Sequence, residues 1–375
     1  GGRCNITNAE FDIKKMLANY GTSADFLYSA FSIFSHKDTF DFFNNQGLRL
    51  SIQEHNRVFP ISEKATDVTN FFRERLQNKL VTIKTGCTVQ KILNSGDHIT
   101  GIEIINSQKD REIVTARSYV LATGGMSHPE TGSTGDGFTF LRDLGHTIIH
   151  PTPSLVPIVV REKWIHELSG TVLKNATIVV YCDNIKKFQK KGDILLTHFG
   201  LSGPTILNTA AQVSDLLPQG TVTARIDMFT GLDQGSLEKE IIHIFDNHKN
   251  KSLKNVLTEI GKSYDIPTKL MTSITMLLSE INFETPVHSV SKSDRKKIVV
   301  LLKSIPITIT GLKGYSHAII ADGGIPLSEI NMKTMRSRIY DNLYITGDLL
   351  HIRRPSGGFS LQICWTTGYI AGISA

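Results

Sequence analysis

Asn342-Leu343-Tyr344-Ile345-Thr346-Gly347-Asp348, followed by Ser356-Gly357-Gly358-Phe359-Ser360-Leu361-Gln362, is the stretch that decides how this 375-residue chain folds. The first half reads as a strand of the buried type, closed by Gly347-Asp348. The second half opens an apolar helix running to Gly372. A strand ending in Gly-Asp sets a carboxylate at the carboxyl edge of a parallel sheet, where open α/β folds bind ligands. Glycines at the next helix start let the backbone approach a ligand closely, and the free N–H groups there favour negative charge. The plain alternative is a strand, a turn and a helix with a capping aspartate.

Working outward, Ser118-Tyr119-Val120-Leu121-Ala122-Thr123-Gly124-Gly125 repeats the theme: a hydrophobic strand ends in two glycines, which allow a sharp turn beside a nucleotide. Thr134-Gly135-Asp136-Gly137 precedes a helix over 136–144, with Asp136 able to cap it. At the start, Gly1-Gly2-Arg3-Cys4-Asn5 offers a glycine-rich approach, a guanidinium suited to pyrophosphate and a side-chain amide. Thr197-His198-Phe199-Gly200-Leu201-Ser202-Gly203-Pro204 reads as a loop entering a helix, with Ser202 as N-cap and His198 as a weak acid–base candidate.

Periodicity orders the rest. Residues 10–80 are expected to be mainly helical, with Phe26, Leu27, Ala30, Phe31 and Phe34 on one face as core. Residues 56–60 are expected as a loop. Strands are predicted at 81–85, 88–94, 99–106 and 112–118, leading into 118–122. Residues 150–230 are β-rich, with strands at 156–160, 176–181 and 221–227. Residues 235–303 are helical and lysine-rich, and further β structure is expected at 307–310 and 316–320.

Composition excludes several classes. The chain is 40% hydrophobic and 20% charged, an ordinary globular balance. No apolar run reaches the ~18 residues of a membrane span. The four cysteines, Cys4, Cys87, Cys182 and Cys364, form no C-x-x-C pair. Their spacing argues against a zinc site, a dithiol centre or a disulfide scaffold, and suits a cytoplasmic protein. The net charge of +6 is mild, and permits an anionic partner without requiring one.

Taken in order, these elements resemble the BaiN/YhiN-type family of NAD(P)/FAD-dependent oxidoreductases. The resemblance rests on Gly1–Asn5 with Thr7-Asn8, on Ala122–Gly125, on Thr131–Gly137, on Thr197–Pro204, on Asp322-Gly323-Gly324-Ile325 and on the Gly347-Asp348 to Gly357-Gly358-Phe359 unit. It implies an α/β fold: a Rossmann-like FAD-binding domain, incomplete at its N-terminus, with an inserted β-barrel-like domain and a small helical domain. The expected boundaries are 1–150 and 336–375 for the FAD domain, 151–230 and 305–335 for the β-rich domain, and 231–304 for the helical insertion. The family's N-terminal G-x-G-x-x-G unit is not in this sequence, so the chain is expected to be a fragment.

The resemblance also implies FAD contacts from Gly2, Arg3, Cys4, Asn5, the backbone at Val89, Thr123, Gly124, Gly125, Gly347, Asp348, Gly357, Gly358, Phe359, Ser360 and Leu361. NAD(P)H is expected as a transient electron donor and no metal is expected. Two departures from the family pattern, the lack of the acidic residue common near His351 and Ser360 where asparagine is common, lie beside the flavin position and bear on substrate and redox tuning. His351 is the second weak catalytic candidate. The substrate is expected to be a small amine- or ketone-type molecule or uridine in ribosomal RNA; lysines of the helical insertion lean slightly towards RNA. The rival readings are a non-catalytic flavoprotein-like fragment or binding module, and a flavin-using tRNA-modifying or fumarate-reductase-like enzyme using Arg353 and Arg354 beside His351.

Overall fold

In the computed structural model, which describes residues 2–77 and 80–375, the deciding strand forms at Leu343–Ile345 and pairs in parallel with Tyr119–Leu121. Ile330–Asn331 and Arg336–Ser337 complete this four-stranded sheet. A parallel pair needs a long crossover. Here the crossover holds an entire second unit: the chain divides into Gly1–Pro153 with Ala318–Ala375, and Ser154–His317.

In the first unit, Phe359–Ser374 is the helix expected after Gly358. It buries Phe359, Gln362, Ile363, Thr366, Thr367, Ile370 and Ala371. The meander forms at Thr88–Ser95, His98–Ile105 and Arg111–Val114. Asn342 ties it to the central sheet, its side-chain amide accepting from the Ile99 N–H and donating to the Ile99 carbonyl, both at 2.9 Å. The expected strand at 81–85 does not form: Val81 and Ile83 stay exposed, and among the described residues no strand pairs with this stretch. Towards the N-terminus come helices Ile13–Ala18, Ala24–Ile33, His36–Asn45 and Ala65–Leu76; the last two pack on a small sheet of Thr7–Asn8, Arg57–Pro60 and Leu50–Gln53, and the first two join the core of the central sheet. The Ser35–Asp38 capping box starts the third of these helices. Residues 57–60, expected as loop, are therefore strand: Val58 is buried between partners on both sides. The aromatic stripe is core as expected, with Leu27, Ala30 and Phe31 buried.

The second unit is a closed six-stranded barrel in the order Val172–Cys182, Ile185–Thr197, Gly200–Ser202, Ile158–Val160, Ile305–Leu312 and Val222–Asp227. Helices Gln234–Asn247, Leu253–Ser263, Thr268–Thr275 and Lys292–Lys303 share its hydrophobic core. Two expectations change here. Residues 197–203 are a tight barrel hairpin rather than a loop, so Ser202 ends a strand and Gly203 precedes Pro204 at the helix start. The stretch expected as strand at 316–320 begins in a 3-10 turn, Tyr315–His317, and the strand starts only at Ile320, running Ile320–Gly324 in the first unit. No helix among the described residues is long and apolar enough to cross a membrane.

Candidate functional site

The site is built by two glycine turns at the carboxyl ends of the parallel pair. After Tyr119–Leu121 the chain turns at Thr123-Gly124-Gly125. A side chain at Gly125 would meet the Asp348 Cβ at 3.3 Å, so this turn lies directly against the one that follows Leu343–Ile345. Gly137, in the first turn of Asp136–Asp143, packs on both: a methyl there would overlap the Thr123 hydroxyl and lie 2.8 Å from Leu349 Cδ2. That helix takes Gly135, not Asp136, as its N-cap, and no side chain caps it.

The C-terminal helix likewise begins at Gly358 with no side-chain cap, leaving first-turn N–H groups for another acceptor. Its start is braced from beneath. The Asn8 amide donates to the Gly357 carbonyl at 3.0 Å, the Thr7 hydroxyl donates to Gln362 Oε1 at 2.5 Å, and the Trp365 indole donates to the Ile6 carbonyl at 2.9 Å. The Tyr20 hydroxyl donates to the Phe359 carbonyl at 3.1 Å. These contacts fix a helix N-terminus whose partial positive charge faces outward from a rigid base.

Asp348 stands between the two turns in an ion pair with Arg354, whose side chain is 1% exposed. The Arg354 guanidinium also donates to the Ser360 hydroxyl at 3.1 Å and to the Ile352 carbonyl at 2.5 Å. Sequence reasoning assigned Asp348 and Ser360 separately and did not foresee that one arginine would join them. Below them, burial and the Asp348 carboxylate push the Cys364 thiol up to about 12 against the pull of Arg354, so it stays protonated at neutral pH. Burial also raises the Cys4 thiol, which makes neither cysteine a ready nucleophile.

A flavin needs an electropositive rim for its N1/O2 edge and polar groups that have no partner of their own in the protein. Both are present. In the first unit Ser127 Oγ, Asp322 Oδ1 and His351 Nδ1 are buried without a hydrogen-bond partner among the described residues, as are the His36 ring nitrogens and Arg75 Nε. Two of them sit beside the turns: Asp322 is two residues before Gly324, where a methyl would lie 2.9 Å from the Leu349 carbonyl carbon, and the His351 N–H donates to Ile325. The residues present therefore fit the group.

The other expected residues are placed as follows. Arg3 is paired with Glu63 at 3.3 Å and stacked 4.1 Å over Phe59, and Asn5 accepts from the Val58 N–H. The Gly2 carbonyl accepts from Ala65, and Cys4 packs beside the Phe43 cluster. Val89 pairs with Ile104 in the meander, and Leu361 lies in the first turn of the C-terminal helix. His198 belongs to the second unit, edge-on to Phe199 at 4.7 Å. Among the described residues no cluster could hold a metal ion.

One further constellation invites a hydrolase reading. Ser337 Oγ lies 3.0 Å from His146 Nε2, and His146 Nδ1 lies 2.7 Å from Glu329. The serine accepts from the N–H groups of Ile339 and Tyr340, both at 3.0 Å, so its proton is left for Nε2. That assigns the Nδ1–H tautomer to His146. Ser337 is 3% exposed and both its lone pairs are engaged, so the triad is a brace and not a nucleophile.

The fold and these turns define an FAD-binding Rossmann-type flavoprotein. A profile of the HI0933-like protein Rossmann domain family matches residues 1–374, and the chain belongs to that family of FAD-dependent oxidoreductases. It is 26% identical over its full length to a 3-dehydro-bile acid delta(4,6)-reductase of Clostridium scindens, covering 88% of that protein. It is 27% identical to a ribosomal RNA dihydrouridine synthase of Haemophilus influenzae, covering all of this chain and 87% of the relative. Among solved structures, an Escherichia coli quinol fumarate reductase chain superposes with a TM-score of 0.48 at 15% identity; 99% of this chain spans 61% of that one.

Proposed function

We propose that the chain is an FAD-dependent reductase that adds a hydride and a proton across a carbon–carbon double bond conjugated to a carbonyl, with NAD(P)H as the electron donor. The observation that carries this is the meeting of the Thr123–Gly125 turn, Asp348 and the uncapped helix start at Gly358. Bound FAD supplies the hydride chemistry. Gly357, Gly358 and the first helical N–H groups would hold its electron-rich edge, while Gly124, Gly125 and Asp348 would hold the adjoining chain. The two relatives' names support the substrate class: a delta(4,6)-reductase of a 3-dehydro compound and a dihydrouridine synthase both saturate a double bond conjugated to a carbonyl.

The chain's residues have two tasks. The Gly358 helix start favours the electron-rich reduced cofactor. His351, whose buried Nδ1 has no hydrogen-bond partner among the described residues, is the proton donor to the carbon that does not receive the hydride. The test is anaerobic: the holoprotein is reduced with NADH or NADPH, then mixed with an α,β-unsaturated ketone or a uridine-containing RNA. Return of the oxidised flavin spectrum with saturation of the double bond is expected. His351→Gln should keep its flavin and reoxidise about a hundredfold more slowly. Reduced flavin that persists with both substrate classes would overturn the reading.

A further inference from the structure

The second unit carries a cationic surface distinct from the lysine-rich helices. Between Ile185 and Gly192 the strand Ile185–Thr197 holds Lys186, Lys187, Lys190 and Lys191, all exposed, with no acidic residue among them. At ~3.4 Å per residue these four ammonium groups spread over about 17 Å of strand.

Register sorts them onto faces. Ile178, Val180 and Cys182 of the neighbouring strand are buried in the barrel, so Thr177, Val179 and Tyr181 point outward. Lys191 lies opposite Thr177, Gln189 opposite Val179 and Lys186 opposite Tyr181, which places Lys186 and Lys191 on the outer face. On the far side Arg225 lies opposite Val179, and its guanidinium stands 5.2 Å over the Tyr181 ring. The register slips between Val180 and Tyr181, making Lys187 an extra residue in a bulge that re-aims its side chain.

Carboxylates quench part of the helical cationic surface, while Lys249, Lys292 and Lys296 have no carboxylate partner among the described residues. Lys251 pairs with Glu259, Lys254 with Glu284, Arg295 with Glu238 and Lys297 with Glu280. On the hairpin, Lys186 donates to Gln189, and among the described residues none of the four lysines or Arg225 is paired with a carboxylate. Unquenched cations flanking an aromatic ring suit a polyanion that also presents flat rings, which is what a nucleic acid strand offers.

We infer that the outer face formed by Lys186, Lys191 and Arg225 around Tyr181, with Lys187 at the bulge, is an RNA-docking surface that contacts the phosphate backbone. This deepens the proposed reductase function, since it names a polymeric substrate for the conjugated double bond. The test reads binding without turnover, so its failure leaves the flavin chemistry untouched, and loss of flavin chemistry leaves it intact.

The probe is a fluorescein-labelled RNA hairpin of about 20 nucleotides, titrated with the full chain and read by anisotropy over a KCl series. The triple variant Lys186→Glu, Lys191→Glu and Arg225→Glu should bind at least tenfold more weakly at ~0.1 M salt. Its log–log salt slope should flatten by about 2 to 3, at ~0.7–0.9 per lost phosphate contact. A charge-matched variant, Lys249→Glu, Lys292→Glu and Lys296→Glu, should bind as the parent does. Equal weakening by both variants would reduce the effect to net charge and overturn the proposal, as would parental binding by the hairpin variant. If the hairpin variant instead loses only binding to phosphatidylserine vesicles, the occupant is a lipid surface and the RNA assignment falls.

Discussion

At Gly358 the backbone sits at φ +101°, and an alanine methyl there would overlap the Thr7 carbonyl and lie 2.9 Å from the Asn8 nitrogen. Gly358→Ala therefore meets two penalties. A left-handed conformation costs an L-residue about 1–2 kcal/mol. Forcing a methyl into a filled site costs about 1–3 kcal/mol more, because the obstacle is strand backbone and not a flexible side chain. The expected loss is about 2–5 kcal/mol, together with loss of bound flavin as the helix start lifts from Thr7-Asn8. Urea unfolding can be followed through Trp365, which stacks on Phe72 at 5.5 Å and so reports the same unit, in a Trp164→Phe background. Gly368→Ala is the paired control: it is exposed in the same helix with nothing within 4 Å of the added methyl, and should gain about 0.5–1 kcal/mol. If Gly358→Ala unfolds within about 0.5 kcal/mol of the parent and keeps its flavin, the tight seating of the helix start is wrong.

Asp348→Asn leaves the buried Arg354 guanidinium without its carboxylate, and should cost about 3–5 kcal/mol in denaturant unfolding. At Glu329, burial raises the carboxyl pKa, but hydrogen bonds from Thr147 and His146 outweigh it and leave the value lowered. A lowered carboxylate adds stability above its unfolded pKa of ~4.3 and loses it as pH falls through the folded value. Glu329→Gln should thus cost about 2 kcal/mol at pH 7, and its stability should converge with the parent's in acid; a constant gap at every pH would count against the His146 brace.

The parts legible in sequence were those where periodicity and backbone demand coincide. Leu343–Ile345 and Tyr119–Leu121 are short apolar runs stopped by glycine, and both appear with their turns adjacent. The strand Ile185–Thr197 lies in the stretch expected to be β-rich but is not singled out by pattern, because two Lys-Lys pairs break the apolar alternation of its first half; pairing in the barrel makes it a strand. Conversely, 81–85 has the residue types of a strand but no neighbour to pair with. In the site, glycine positions could be read from spacing, whereas the Asp348–Arg354–Ser360 linkage could not. It depends on how the 349–358 loop folds back, which no local pattern encodes.

The parallel pairing of Tyr119–Leu121 with Leu343–Ile345 has a consequence for the order of events during synthesis. Roughly 220 residues separate the partners, and contacts so distant are costly to close and slow to form. The barrel unit leaves the ribosome before Leu343 exists and can fold while its neighbour waits. Until the last helix emerges, Tyr119–Leu121 is an unfilled edge and the cofactor has no floor. A nascent chain stalled before residue 343 would thus be half finished: a competent barrel tethered to an open, adhesive strand, the species that chaperones would be expected to hold.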